Sequence, residues 1–545
     1  MSARRGATAW VLGVAVAGVV GGGSEVFGAF PTFLTPNVIS GAQAPTSIGG
    51  WTFVNKGLQG VGRVPTTQLD VFGETFGSVS ALQMGNWART GAGYSGTFFT
   101  LPDRGQNEPP LNRFSDYDAR IQTVNFTFAP YTGAAIVGQT QIVPTYVTGQ
   151  KFTYANPLAG GAQTGTSGLD PGTNVQTLFG QTMPLVPSQS IGGVAVAVNK
   201  LAMDAEGLVL RADGSGWVSD EYGPNVYYFN ANKEIVGAVE LPEAIRPRTA
   251  GALNFNSLGA PASGRRNNQG MEGIALSPDG TKLFAMVQSA TLQESGGANA
   301  ARRNVTRLLT YDVSGTNVPT LANLVSQSVV QLPTFDFEGD GTGLDRTAAQ
   351  SEILALSNDK ILVLSRDGNG LGSGRRAPVY KSVIVVDTTT GTNFASDTAF
   401  NAPTGSVAAG GLLNAGIDPL DYVEAVNVLN RTDLEKFGLT VNNSAGTFGA
   451  NTISEKLEGL SLVSALDPEN PNDYFLFVAN DNDFSAINGR MEQADGSFFE
   501  YTFADEGVVN DTVFLAYRVT IVVPEPAGMG LTAAIVGMGL VRRRR

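Results

Sequence analysis

A β-hairpin that recurs along the chain, in four of five copies opening on an acid and each time closing on polar residues, limits the possible folds more than any other feature. Its clearest copy, Met271 to Gln288, reads Met-Glu-Gly-Ile-Ala-Leu-Ser-Pro-Asp-Gly-Thr-Lys-Leu-Phe-Ala-Met-Val-Gln. Ile274 and Leu276 alternate with small residues, Ser277-Pro278-Asp279-Gly280 has turn chemistry, and Leu283 to Val287 is a second apolar run. Because the strands run antiparallel, the Glu272 that opens the first and the polar residue that closes the second share one end of the sheet.

Three further copies carry the same acid. Glu206-Gly207-Leu208-Val209-Leu210 precedes Asp213-Gly214 and Trp217-Val218-Ser219-Asp220-Glu221. Glu352-Ile353-Leu354-Ala355-Leu356 runs through Ser357-Asn358-Asp359 into Ile361 to Arg366-Asp367. Glu458-Gly459-Leu460-Ser461-Leu462 is followed by a Pro- and Asn-rich loop and by Tyr474 to Asn480-Asp481-Asn482-Asp483. A degenerate copy pairs Ser80-Ala81-Leu82 with Thr97 to Asp103-Arg104-Gly105.

Behind each hairpin lies further strand material: Val124 to Phe128 with Ala134 to Val143, Val226 to Phe229 with Val236 to Leu241, and Leu308 to Val313 with Ser326 to Leu332. Ser382 to Asp387 and Val513 to Val519 supply single strands, and Trp51 to Val54 and Leu69 to Phe72 lead into the first copy. Two hairpins make four strands, which is one propeller blade. The pattern therefore predicts an all-β chain with a single β-propeller of five to seven four-stranded blades over residues 48–521. The opening acids Glu206, Glu272, Glu352 and Glu458 are 66, 80 and 106 positions apart, and a blade needs about 40–50 residues. The longer intervals hold insertions or a further blade, the insertions being best placed at Ala155 to Gln189 and Asn393 to Gly446. Tyr422 to Leu429, followed by Asp433-Leu434-Glu435-Lys436, reads as helical.

The 545 residues contain no histidine and no cysteine. That excludes a Ser-His-Asp triad, a Cys-His nucleophile, a zinc finger and disulfides. Catalysis then falls to carboxylates, Arg, Lys, Tyr, Ser or Thr, best combined with a hard cation bound through oxygen. A net charge of −13 speaks against nucleic acid as a partner and suits a cation.

Both ends read as addresses. Arg4-Arg5, an apolar stretch from Ala7 to Val20 and small residues up to Gly28 predict a signal peptide over residues 1–28. Val523-Pro524-Glu525-Pro526 precedes an apolar run from Ala527 to Val541 and then Arg542 to Arg545. The run is short for a spanning helix, which needs about 20 apolar residues, and a simple C-terminal anchor helix is the alternative reading.

If every hairpin opens on one face, Glu206, Glu272, Glu352 and Glu458 converge there with Asp103, Asp220, Glu221, Asp367, Asp481 and Asp483. Crowded carboxylates raise one another's pKa, and a bound cation removes that penalty. Calcium takes six to eight oxygen ligands, so metal ligands are assigned to Asp103, Glu206, Glu221, Glu272, Glu352, Asp367, Glu458 and Asp481. Arg104 and Arg366 suit a phosphate, and Glu206, Glu272 and Asp220 are the candidate catalytic residues of a metal-assisted attack by water on a phosphomonoester. The bland counterpart is that an acid opening an inner strand only bonds the backbone of a neighbouring blade. Asp213-Gly214 and Asp279-Gly280 read as plain turns at the opposite end, and Trp217 and Tyr222 as packing residues.

Asp204-Ala205-Glu206-Gly207-Leu208, Ser219-Asp220-Glu221-Tyr222-Gly223-Pro224, Asp103-Arg104-Gly105, Glu272-Gly273-Ile274-Ala275 and Glu458-Gly459-Leu460 resemble the bacterial family described as having esterase-like activity of phytase. The resemblance runs from about Ser78 to Val519 and implies a secreted propeller assigned to phosphate-ester hydrolysis. The tail over residues 523–545 resembles a PEP-CTERM sorting signal. That resemblance implies an exosortase-type partner, transient contact with the inner membrane, and a mature chain outside the cytoplasm. Two other functions stay open at this point: a non-catalytic matrix or surface propeller that binds a partner, and a metal-dependent lactonase or carboxylesterase.

Overall fold

The computed structural model describes residues 30–524 except 109–112, 192, 297–298, 373–375, 442–447 and 504–507. The signal-peptide assignment and the tail beyond Pro524 lie outside the described residues. Five sheets dominate the rest, all inside the unit that begins at Pro31, antiparallel except where Thr153–Asn156 joins the second sheet parallel to Glu234–Ala238. The first contains Ala81–Thr90, Gly93–Leu101, Arg120–Phe128 and Ile142–Lys151 in that order. The second runs Ala205–Leu210, Gly216–Asp220, Asn225–Phe229 and Glu234–Ala238, and the third Met271–Leu276, Lys282–Val287, Val305–Asp312 and Leu324–Gln331. The fourth runs Ala349–Ala355, Lys360–Arg366, Lys381–Asp387 and Asp421–Asn427. Lys456–Ser464, Asp473–Asp481 and Thr512–Val522 begin the fifth, and the N-terminal strand Trp51–Val64 completes it.

The second strands are buried on both faces, and those of the third to fifth sheets read as continuous apolar runs rather than alternating ones. Leu476 and Val478 pack with Leu362 and Val383 of the fourth sheet, whereas Phe475 and Phe477 point the other way, against Phe98 and Phe126 of the first. Likewise Leu283 and Ala285 join Trp217 and Val226 of the second sheet, and Phe284 and Met286 join Ile361 and Ile384 of the fourth. A cluster with Leu101, Ile121, Val218 and Tyr227 links the first sheet to the second. Five apolar clusters thus join the sheets in a cycle, and each fully buried large side chain contributes about 1.5–3 kcal/mol. The first strands touch in the same cyclic order, first to second through to fifth and back to first.

That approach depends on glycine at two of the repeated Glu-Gly pairs. A β-carbon at Gly207 would stand 2.6 Å from the Glu272 carbonyl oxygen, and one at Gly273 would stand 2.8 Å from the Ile353 nitrogen. Ser219 Oγ reinforces the first contact, accepting from the Gly207 amide at 2.7 Å and donating to the Glu272 carbonyl at 2.8 Å.

Three expectations are corrected. The segment read as helical at Tyr422 is the outer strand Asp421–Asn427, paired with Lys381–Asp387 through Val383↔Val426, and only Arg431–Glu435 is helix. Tyr422, Val423 and Val426 are aromatic or β-branched and fill an outer-strand position, so packing overrides the helical spacing. The strand at Val513 is not single either, since its partner is at the other end of the chain, with Val61 opposite Leu515. Leu69 to Phe72 forms no strand, because the Asp70 carboxylate accepts the amides of Phe72 and Glu74 in a turn.

Candidate functional site

One alternation in register decides which acids meet. In the second sheet Ala205 opposes Asp220, in the third Met271 opposes Val287, in the fourth Gln350 opposes Ser365, and in the fifth Leu457 opposes Asn480. A bulge follows in each case, so the next residue of the first strand is extra: Glu206, Glu272, Ser351 and Glu458. On the second strands, the residue after each partner is Glu221, Gln288, Arg366 and Asp481. All four line one cavity of about 440 Å³, together with Glu206, Glu272, Glu458, Asp103, Arg104, Asp204, Lys456 and Asp483.

The same alternation takes an expected catalytic residue, Asp220, and two expected ligands, Asp367 and Glu352, out of the cavity. Asp220 is one residue off and faces away, accepting the amides of Asp204, Tyr222 and Gly223 and the Asn225 side chain at 3.0–3.1 Å. It closes the turn between two strands. Asp367 accepts the Tyr380 amide at 2.9 Å and pairs with buried Lys381 at 2.7 Å. Glu352 occupies the position where the other copies carry glycine, with Ser351 in the acid's place. Its carboxylate takes the Ile353 amide at 2.9 Å and a backbone bond from Ile274 of the third sheet, so in this copy the acid holds neighbouring strands together. Tyr222 is buried, and its hydroxyl donates to the Gly168 carbonyl at 2.6 Å. Trp217 is buried as well and donates to the Asn317 carbonyl.

Half of the cavity carboxylates already have a cationic partner. Asp204 pairs with Arg104 at 3.0 Å, Glu458 with Arg366, and Asp481 and Asp483 with Lys456. Arg366 is also fixed by Ser351 Oγ at 3.0 Å. Asp103 belongs with the Lys456 group and accepts from Ser78 and the Gly105 amide. Four cavity carboxylates remain without an ion pair among the described residues: Asp103, held by the two donors just named, and the buried Glu206, Glu221 and Glu272. No hydrogen bond reaches the Glu206 side chain there. Glu272 Oε1 accepts from Gln288 at 2.7 Å, whereas Oε2 is buried with no partner. Glu221 receives one amide, from Gly270, at 3.2 Å.

The electrostatics follow from this imbalance. Burial, then the charges of Glu272, Asp204, Glu221 and Glu458, push the Glu206 carboxyl well above its usual range. Burial, then Glu221 and Glu458, do the same to Glu272. Glu221 is pushed up to about 8, by burial first and Asp204 second. Each shift marks a carboxylate that would gain from a positive charge. Carboxylate atoms of Asp204, Glu206 and Glu221 lie within 4.8 Å of one another, and an all-oxygen donor set of this kind suits a hard divalent ion.

Sequence reasoning missed Asp204 and Lys456 as cavity residues. Each stands two positions before an opening acid, so the period of two along a strand was the available signal. Gln288 was visible only through the register, and Arg303 and Arg346 come from connecting segments that no repeat announces.

Residues 74–484 match the Phytase-like family, described as "Esterase-like activity of phytase". The chain belongs to this family. In this Phytase-like chain the matched span holds every acid and base of the cavity, from Asp103 to Asp483, and leaves out the strands Trp51–Val64 and Thr512–Val522 that complete the fifth sheet. A protein of Arthroderma benhamiae described as "Uncharacterized secreted protein" is 32% identical over 476 residues, 82% of this chain and 90% of that protein. Among solved structures, a luciferin-regenerating enzyme is similar with 11% identity over 82% of this chain and 92% of its own, at a TM-score of 0.28. The WD40 domain of Toxoplasma gondii coronin is similar with 7% identity over 89% of this chain and 90% of its own, at a TM-score of 0.26.

Proposed function

We propose that this chain is an exported, metal-dependent hydrolase of phosphate esters built on a five-bladed propeller, with Glu206, Glu221 and Glu272 holding a divalent cation, calcium by its preference for oxygen ligands. The observation that carries the reading is the set of three buried, mutually repelling carboxylates, Glu206, Glu221 and Glu272, with no ion pair among the described residues, in a cavity where Asp204, Glu458, Asp481 and Asp483 have basic partners. When bound, the cation would supply charge neutralisation at a phosphoryl group and a lowered pKa for water.

The chain's own residues have separate tasks. Arg104 and Arg366 hold Asp204 and Glu458 in place and keep part of their positive field in the cavity. Lys456 neutralises the Asp481–Asp483 side, which directs the cation to the Glu206 side. Asp220 and Ser219 act as positioning residues: one fixes the turn that presents Glu221, the other locks the Glu206-Gly207 bulge against the third sheet. Export is supported by the signal-like N terminus and the secreted relative, and removal of the 523–545 tail by its PEP-CTERM resemblance. No described helix is long and apolar enough to cross a membrane.

The experiment is an assay of the mature chain on a chromogenic phosphomonoester and on phytate, with chelator and with added calcium. Turnover that chelation abolishes and calcium restores is expected. Absence of turnover on both substrates at every calcium concentration would sink the reading.

A further inference from the structure

The acids of the cavity come from the first, second and fifth sheets and from Glu272 of the third. At the junction of the third and fourth sheets the wall changes sign. Arg303 ends the short 3-10 turn Ala300–Arg303, inserted between two strands of the third sheet, and Arg346 lies in the strand Arg346–Thr347 that leads into the fourth. Thr347 Oγ1 donates to the Ala300 carbonyl at 2.8 Å, fastening these segments together. Both arginines line the cavity.

Their surroundings differ from those of Arg104 and Arg366. Arg303 has no hydrogen bond or ion pair from its side chain among the described residues, and Arg346 pairs only with its half-exposed neighbour Asp345, at 2.9 Å, while its guanidinium lies over Phe337 at 4.4 Å. Arg266, on which the charge of Arg303 acts, donates to Ser295 Oγ at 2.7 Å and has a buried Nε with no partner. Burial and the charge of Arg346 lower the Arg303 pKa, and burial and Arg303 push Arg266 down to about 10. Arg303 is thus repelled by Arg346 on one side and itself repels Arg266 on the other. An anion among them would relieve that repulsion, and the planar fork of arginine suits phosphate oxygens.

We infer that Arg303 and Arg346 form the phosphate-binding subsite of the cavity. The subsite takes a phosphate group carried on an ester or free in solution, and Arg266 reinforces it. The inference rests on the phosphate-ester reading but has its own readout. Arg104 and Arg366, already committed to Asp204 and Glu458, then have only a supporting part in substrate recognition.

The test is calorimetric titration of inorganic phosphate into the calcium-loaded full chain, for the wild type, Arg303→Gln, Arg303→Lys and the Arg303→Gln/Arg346→Gln double variant. A parallel measurement follows the Michaelis constant for the phosphomonoester. Loss of one charge-assisted bond is expected to weaken phosphate at least about tenfold in Arg303→Gln, more in the double variant and less in Arg303→Lys. Equal phosphate affinity in the wild type and the double variant, or no phosphate binding by the wild type, overturns the inference. Phosphate binding that depends on Arg303 in a protein without turnover leaves the subsite standing and removes the catalytic reading. Turnover with an unchanged Michaelis constant in the double variant does the reverse.

Discussion

The Glu272→Gln variant is expected to lose at least about 100-fold in calcium affinity and in phosphomonoesterase activity, while melting no lower than the wild type when both are free of cation. The first part follows from position: Glu272 Oε2 is buried without a partner beside Glu206 and Glu221. Removing an outer-shell partner of a bound metal already costs 10–100-fold, so removing a ligand costs more. The second part follows from charge. The substituted amide keeps an oxygen for Gln288, presents a donor to the crowded carboxylates, and removes one of the like charges that push Glu206 up. Glu352→Gln is the control, because that carboxylate bonds Ile353 and Ile274 rather than lining the cavity. It should leave calcium affinity unchanged and cost about 1–2 kcal/mol of stability, the weight of a weakened charge-assisted bond. Calorimetry with calcium and thermal melts of both variants check the pair of outcomes. A Glu272→Gln protein that binds calcium as the wild type does contradicts the assignment.

The second large effect concerns the fold that brings the acids together. Gly207→Val is expected to destabilise the chain by about 3 kcal/mol, and Gly273→Val by a similar amount, measured as a lower denaturant midpoint. At Gly207 a β-carbon would meet the Glu272 carbonyl at 2.6 Å and the Ile274 nitrogen at 2.9 Å, and at Gly273 the Ile353 nitrogen at 2.8 Å. These obstacles are backbone atoms of the neighbouring first strand, which move only if the whole strand moves. The added volume therefore pushes neighbouring sheets apart at their innermost strands. Gly138→Ala is the matched control: it lies in an exposed loop where a β-carbon meets nothing within 4 Å, and its effect should stay within about 0.5 kcal/mol. A valine at position 207 that leaves the midpoint unchanged would show that the first strands do not pack as described.

Much of this was legible in the sequence, and the exceptions share a cause. The hairpins, their antiparallel sense and the shared end for opening acids and closing polar residues follow from apolar alternation and turn chemistry, and the five hairpins are present at the expected places. The face on which each closing residue sits was not legible. A bulge adds one residue to the first strand at Glu206, Glu272, Ser351 and Glu458, so Glu221 and Arg366 enter the cavity while Asp220 and Asp367, one residue away, turn to backbone amides. In the fourth copy the warning was present, since Glu352 is followed by Ile353 rather than glycine, and the acid is displaced by one position. The partner of Thr512–Val522 was hidden for a different reason: Trp51–Val64 lies at the far end of the chain, and no local pattern encodes that pairing. Arg303 and Arg346 belong to connections, where no repeat constrains the residue type.

The most direct measurement of the central claim is the melting temperature of the mature chain with calcium and with chelator, at pH 5 and at pH 8, in the wild type and in a Glu206→Gln/Glu272→Gln variant. Carboxyls whose pKa is raised on folding stabilise the cation-free protein fully below their ordinary value of 4.5, and this contribution is lost as pH rises, for Glu221 through about 8. Calcium takes the place of those protons, so its stabilisation should be larger at pH 8 than at pH 5. At a concentration 100 times its dissociation constant it should reach about 2.7 kcal/mol. The double variant should show no calcium shift at either pH. A wild-type protein whose melting temperature ignores calcium at pH 8, or a double variant that keeps the full shift, contradicts the account.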